Sequence, residues 1–186
     1  GGEAEEEVLV STELYDPVTE TFSPGPDMES RRCGCGTAVL EEGRVVVAGG
    51  TNGIGILSTT EVLSPASNTW SPGPKMASCR FGCAALPVGR HRILLIGGKR
   101  GLFDESSYLA TTEVLDLARG TSTPGPAMRC PRAFCAAVLL PDGSVLVVGG
   151  MNGHHHSSAT SEVLDLTRGT SAPGPEMTTA RCGPSA

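Results

Sequence analysis

The chain is 186 residues long and carries 14 Lys and Arg against 20 Asp and Glu, a formal net charge of −6. With 25 Gly and 14 Pro in that length, long helices are not expected, because both residues break them. No run approaches the roughly 18 apolar residues of a membrane span, and an acidic balance without a Lys/Arg cluster argues against nucleic acid or an anionic membrane surface as the main partner.

In chain order the sequence opens on Gly1-Gly2, passes through a β-like segment around Glu13 and reaches Pro24-Gly25-Pro26. The Pro-Gly-Pro triplet returns at 72–74, 124–126 and 173–175, at spacings of 48, 52 and 49. Each triplet is followed by Met28, Met76, Met128 or Met177, and four residues later by Arg32, Arg80, Arg132 or Arg181. Glycine pairs follow the first three arginines at Gly49-Gly50, Gly97-Gly98 and Gly149-Gly150, and a Glu on a β-like run recurs as Glu13, Glu61, Glu113 and Glu162. Such fixed order marks an internal repeat. Glu13 stands 11 residues after Gly2 and Glu61 stands 11 after Gly50, so Gly1-Gly2 is a repeat's own glycine pair.

Each period reads as four short strands. Val39-Leu40, Ala84 to Leu86 and Ala136 to Leu140 form a first apolar run, with Glu42-Gly43 and Asp142-Gly143 as hairpin signals. Val45 to Val47, Ile93 to Ile96 and Val145 to Val148 form a second run, continuous enough to be buried on both faces. The Glu segment is the third strand, and the stretch before Pro-Gly-Pro, such as Asn68 to Ser71, is the fourth. Four antiparallel strands in a period of about 50 predict the blade of a β-propeller. The expected organisation is an outer half-blade over 1–27, blades over 28–75, 76–127 and 128–176, and the start of another over 177–186. This is an all-β, open arc of about 3.8 repeats, expected to expose strand edges and apolar faces at its ends and to assemble with further blades in the parent protein or another chain.

The glycine pair after the second strand, Tyr15-Asp16-Pro17, the aromatics Phe22 and Trp70 on the fourth strand, and the Arg opening the first strand together resemble the kelch-repeat family. The likeness covers essentially the whole chain. It weakens in the last two repeats, where Ser122 and Ser171 stand at the aromatic position and Leu115 and Leu164 at the Tyr position, so these blades are expected to pack less apolar area against their neighbours. The resemblance implies a scaffold that holds a protein partner on one face of a ring of six or seven blades.

Length variation is confined to one place. Glu to Arg is 19 residues in all four instances and Arg to the second Gly is 18 in all three, whereas the second Gly to Glu counts 11, 11, 15 and 12. Insertions therefore fall between the second and third strands, in loops 51–59, 99–111 and 151–160. Topology puts these loops at the end where the periodic Arg begins each first strand, and loops that tolerate insertion are where scaffolds carry function. Candidate partner-binding residues are Arg32, Arg80, Arg132 and Arg181, which suit an acidic peptide, with Arg100, Phe103 and Tyr108 of the longest loop and His154, His155 and His156 of the last. Two alternatives stand beside these choices. Each periodic Arg pairs with the periodic Glu or with inter-blade carbonyls, and Phe103 or Tyr108 folds back as its loop's own anchor.

Little else points to chemistry. All seven Cys lie within three residues of a periodic Arg, and Cys35, Cys83 and Cys135 share one repeat position. Equivalent positions on neighbouring blades stand too far apart for one metal, so the cysteines are expected to be small buried hydrophobes. The odd count leaves a free thiol and favours a reducing, cytoplasmic location. Asn52-Gly53 and Asn152-Gly153 read as turns, and the His triplet as a solvated loop. No cofactor, metal or catalytic set is expected. The alternative is the propeller portion of a larger enzyme, because PGPDM and LPDGSVLVVGG also resemble the kelch propeller of galactose oxidase-like copper enzymes. The position where those place a copper His holds Cys35, Cys83 and Cys135 here, and Tyr15 and Tyr108 are the only tyrosines. The catalytic residues of such an enzyme would have to lie outside this chain.

Overall fold

The computed structural model of the chain describes residues 1–5, 7–102, 104, 107–152 and 156–183. Three four-stranded antiparallel sheets follow one another. Blade I comprises β5 (Gly36–Val39), β6 (Val45–Ala48), β7 (Thr60–Ser64) and β8 (Thr69–Pro72). Blade II comprises β9 (Ala84–Gly89), β10 (Arg92–Ile96), β11 (Thr112–Asp116) and β12 (Thr121–Pro124). Blade III comprises β13 (Ala136–Leu139), β14 (Val145–Val148), β15 (Ser161–Asp165) and β16 (Thr170–Pro173). Before them β3 (Glu13–Asp16) pairs with β4 (Thr21–Pro24), and β1 (Glu3–Ala4) with β2 (Glu7–Val8). Among the described residues no helix is long and apolar enough to cross a membrane.

The continuous apolar second strands follow from their position inside the stack. Ile93 and Leu95 of β10 pack with Ala38, Leu40, Val46 and Ala48 of blade I, while Leu94 and Ile96 pack with Val145, Val147 and Leu164 of blade III. The core thus lies between blades, so a strand that alternated apolar with polar residues would leave one junction unfilled. Met76 and Met128 belong to these two clusters and Met28 is also buried, which explains the periodic methionine.

Local chemistry sets the corners. Asp16, Asp116 and Asp165 each accept a backbone N–H two residues on, at 2.8, 3.0 and 2.9 Å, and so close the turn between third and fourth strands. Each Pro-Gly-Pro corner is latched by a hydroxyl from the third strand. Thr12, Thr60, Thr112 and Ser161 donate to the carbonyls of Pro26, Pro74, Pro126 and Pro175. At Gly73 an added Cβ would run into Thr60 Oγ1, so the corner needs glycine for close approach.

Neighbouring blades are also tied through the backbone. The second glycine of each pair donates to the carbonyl of the next periodic Arg: Gly50 to Arg80 at 2.8 Å, Gly98 to Arg132 at 2.7 Å and Gly150 to Arg181 at 2.9 Å. Gly2 does the same to Arg32 at 2.8 Å. A second ladder passes from Gly82 N to Gly34 O, Phe134 N to Gly82 O and Gly183 N to Phe134 O. Phe134 holds φ +54 where the equivalent Gly34, Gly82 and Gly183 are also left-handed, and its ring meets Phe81 edge-on at 5.4 Å.

Candidate functional site

The loop-bearing end is organised by three repeats of one arrangement. The Arg80 guanidinium is fully buried and offers five N–H donors, all of which find acceptors. Nε and Nη2 donate to Glu113 Oε1 at 3.0 and 2.8 Å; Nη1 donates to Gly97 O at 2.6 Å and Thr111 O at 2.9 Å; Nη2 also reaches Thr111 Oγ1 at 3.0 Å. Arg32 repeats this with Glu61, Gly49 O and Thr59, and Arg132 with Glu162, Gly149 O and Thr160. The carboxylates are equally engaged: Glu61 also accepts from Glu29 N and Ser30 N, Glu113 from Ala77 N and Ser78 N, and Glu162 from Arg129 N and Cys130 N.

Each guanidinium therefore grips the first glycine of the pair before a variable loop and the loop's last residue. Gly49 and Thr59 bracket the first loop, Gly97 and Thr111 the second, Gly149 and Thr160 the third. The bracketed residues keep their offsets from Arg and Glu whatever the loop length, so the clamp is a constant base beneath loops of changing size. Burial pushes the Glu113 carboxyl upward, but hydrogen bonds from Ser122 Oγ, Ala77 N and Arg80 outweigh it and hold the group below its ordinary value.

The sequence-derived contact residues separate into distinct groups. Arg32, Arg80 and Arg132 are buried with their donors engaged, so their guanidinium groups do not face solvent; pairing with both the Glu and backbone carbonyls accounts for them. Arg181 and Arg100 are exposed. Of the two alternatives for Tyr108, the structure has the inward one: the ring is 7% exposed, with Lys99 Nζ 4.9 Å from its centroid and itself donating to Leu102 O. It anchors the loop from within. His156 is exposed, whereas Phe103, His154 and His155 lie outside the described residues.

One exposed apolar side chain escaped the sequence reading. Asn52 Oδ1 accepts from Ile54 N and Gly55 N, and Thr51 Oγ1 bonds Gly53 N and Gly55 O, a turn that leaves Ile54 95% exposed at the loop tip. The Asn-Gly signal gave the turn, but only the hydrogen bonds show which way the isoleucine faces.

The cysteines do not share one environment. All seven are free; Cys83 and Cys135, each one residue before a first strand, are buried, whereas Cys130 and Cys182 are exposed. Burial pushes the Cys83 thiol up to about 11 and the Cys135 thiol up to about 12. Alkylation at neutral pH is expected to label Cys130 and Cys182 first and to spare Cys83 and Cys135 until the protein unfolds, as residue-resolved mass spectrometry would read. Raised thiol values also fix a sign. Stability is full below the ordinary value of 9.0 and declines as the pH climbs from there toward the folded-state values, so the melting temperature should fall above about pH 9.

The sheets are the blades of a β-propeller fold. A Kelch motif model matches residues 31–77, which span blade I from its Arg to the Pro-Gly-Pro corner and Met76. No curated protein matches the chain in sequence. Among solved structures 211 chains match; one, described as the structure of YjhT, superposes with a TM-score of 0.78 at 15% identity, covering 94% of this chain and 64% of that one. The chain thus spans less than two thirds of that protein's length, and at this identity the likeness concerns the fold.

Proposed function

We propose that this chain is a protein-interaction module that engages a partner through the loops between second and third strands. The observation that carries this reading is the Arg–Glu clamp. It fixes both ends of each loop on a buried, fully bonded base, which lets the loops vary without disturbing the blades. The clamp arginines then act by holding the loops, and the contacts come from Ile54, Arg100, Arg181 and the histidine loop. Exposed cations at this end suit an acidic segment of the partner. Further blades fit the exposed face of the β3–β4 half-blade, where Tyr15 and Phe22 are 53% and 67% exposed.

Grafting residues 51–59 in place of 99–111 tests this reading. Partners recovered with the full-length protein and identified by mass spectrometry should be lost while the melting temperature holds, because Arg80, Gly97 and Glu113 are untouched and Thr59 takes the place of Thr111 in the clamp. Retention of every partner with the short loop would argue against it.

A further inference from the structure

The Arg–Glu clamp has a fourth, open copy. Gly1, Ser11 and Glu13 of the half-blade hold the repeat positions of Gly49, Thr59 and Glu61, at the same spacings. Their backbone is bonded as in blade I. Gly1 N donates to Ser11 O as Gly49 N does to Thr59 O, and Leu9 N meets Gly2 O at 2.9 Å where Leu57 N meets Gly50 O at 2.8 Å. The acceptors for a guanidinium are thus in place: two carbonyls, a hydroxyl and a carboxylate. Glu61 is 2% exposed, whereas Glu13 and Ser11 lie at the surface. With Gly1, Leu9, Phe22 and Pro24 they line a crevice of about 610 Å³.

The complementary half lies on blade III. Arg181 N donates to Ser158 O at 3.0 Å and Arg181 O accepts from Gly150 N at 2.9 Å. The same bonds, to Leu57 O and from Gly50 N, hold Arg80 on blade I while its guanidinium enters the clamp of blade II. Arg181 is exposed, and among the described residues neither it nor Glu13 forms an ion pair. In each filled clamp the Glu also accepts two backbone N–H groups, those of Ala77 and Ser78 for Glu113. Thr178 and Thr179 stand at these positions before Arg181, and both are exposed. The apolar surfaces match as well. Tyr15 holds the position of Leu115, which packs on the preceding blade, and its ring lies 5.1 Å from that of Phe22. On blade III, half-buried Leu146 and Val163 hold the positions of Leu94 and Val114, which pack on the following blade.

We propose that one copy of this chain binds another head to tail, the Arg181 guanidinium of the first entering the Glu13 clamp of the second. Nε and Nη2 then donate to the Glu13 carboxylate and Nη1 to Gly1 O and Ser11 O, while Thr178 N and Thr179 N complete the carboxylate. Tyr15 and Phe22 cover Leu146 and Val163. Burying either charge alone would be costly, and the joint supplies both. The occupant is a second copy because this chain carries both halves of the joint and already repeats that contact between its own blades. The contact is heterologous, so a free clamp and a free arginine remain to add copies until a ring closes. This inference rests on the blade-joining part of the reading above; it takes Arg181 from the loop surface and leaves Ile54 and Arg100 there.

Sedimentation velocity of the full chain over a range of concentrations tests it. Wild type should form dimers and larger species as the concentration rises. Glu13→Gln and Arg181→Gln should each raise the dissociation constant by about thirtyfold or more. Both side chains are exposed, so both variants are expected to fold, which circular dichroism checks. Should Arg181→Gln misfold, Arg181→Lys gives the same decision, because an ammonium cannot span the acceptors of a guanidinium. An equimolar mixture of Glu13→Gln and Arg181→Gln should form a dimer and nothing larger, since only one intact clamp can meet one intact arginine. A wild type that stays monomeric, variants that associate as wild type does, or a mixture without the dimer overturns the proposal. None of these results touches the loop reading, which the graft decides.

Discussion

Replacing Arg80 by Ala should cost about 3–5 kcal/mol of stability, the range for removing one partner of a buried ion pair. The size follows from what is stranded. Glu113, with its side chain 5% exposed, loses its countercharge in a site that water does not reach, and the carbonyls of Gly97 and Thr111 lose a shared donor. Glu113→Ala should cost a similar amount from the other side, leaving a buried guanidinium uncompensated. Double substitution to alanine should cost less than the sum, because the stranded charge disappears with its partner. Denaturant titration of the three variants measures this directly. The depressed Glu113 value adds a pH signature: its contribution is present above the ordinary carboxylate value of 4.5 and is lost as the pH falls through the lower folded-state value. Wild type should therefore lose stability in acid, and Glu113→Ala should lose less.

The next largest effect is expected at Gly97. Its φ is +62, and a Cβ built there collides with the Arg132 carbonyl oxygen. A left-handed backbone costs a non-glycine residue about 1–2 kcal/mol, and forcing extra atoms into a packed site adds about 1–3 kcal/mol. The obstructing atom is backbone, and Arg132 is itself fixed by Glu162, so blade III can relieve the clash only by moving away from blade II. Gly97→Ala should therefore lower stability by several kcal/mol in these ranges, whereas Gly120→Ala, with a similar φ of +67 but open space around its Cβ, should pay only the backbone term. Equal losses at the two sites would show that blade packing is not the cause.

Much of this was legible in the sequence because the repeat exposes each structural role several times. The glycine pairs, the Pro-Gly-Pro corners and the continuous apolar second strands each answer to a constraint that recurs at every junction, so four strands per period and the place of insertions could be read without coordinates. The Arg–Glu spacing was visible as well, but it admitted two uses of the arginine. Only geometry showed that the donors are engaged within the blade, because a count of residues carries no information on which way a guanidinium turns. Tyr108 and Ile54 illustrate the same limit in opposite directions. The tyrosine turns inward beside Lys99, while the Asn52 turn leaves the isoleucine outward, and neither direction is written in the residue spacing. Ser122 and Ser171 were recognisable as missing aromatics, but the bond from Ser122 Oγ to Glu113 Oε2 was not.

If partners meet the loop end while the arginines beneath it serve as clamps, covalent capture should be confined to that end. A photo-crosslinking amino acid placed in turn at Ile54, Arg100 and, at the opposite end of the blades, Val18 and Leu139 tests it most directly in the full-length protein. Positions 54 and 100 are expected to capture one and the same partner, and 18 and 139 are expected not to. Capture from 18 or 139 with none from 54 and 100 would contradict it.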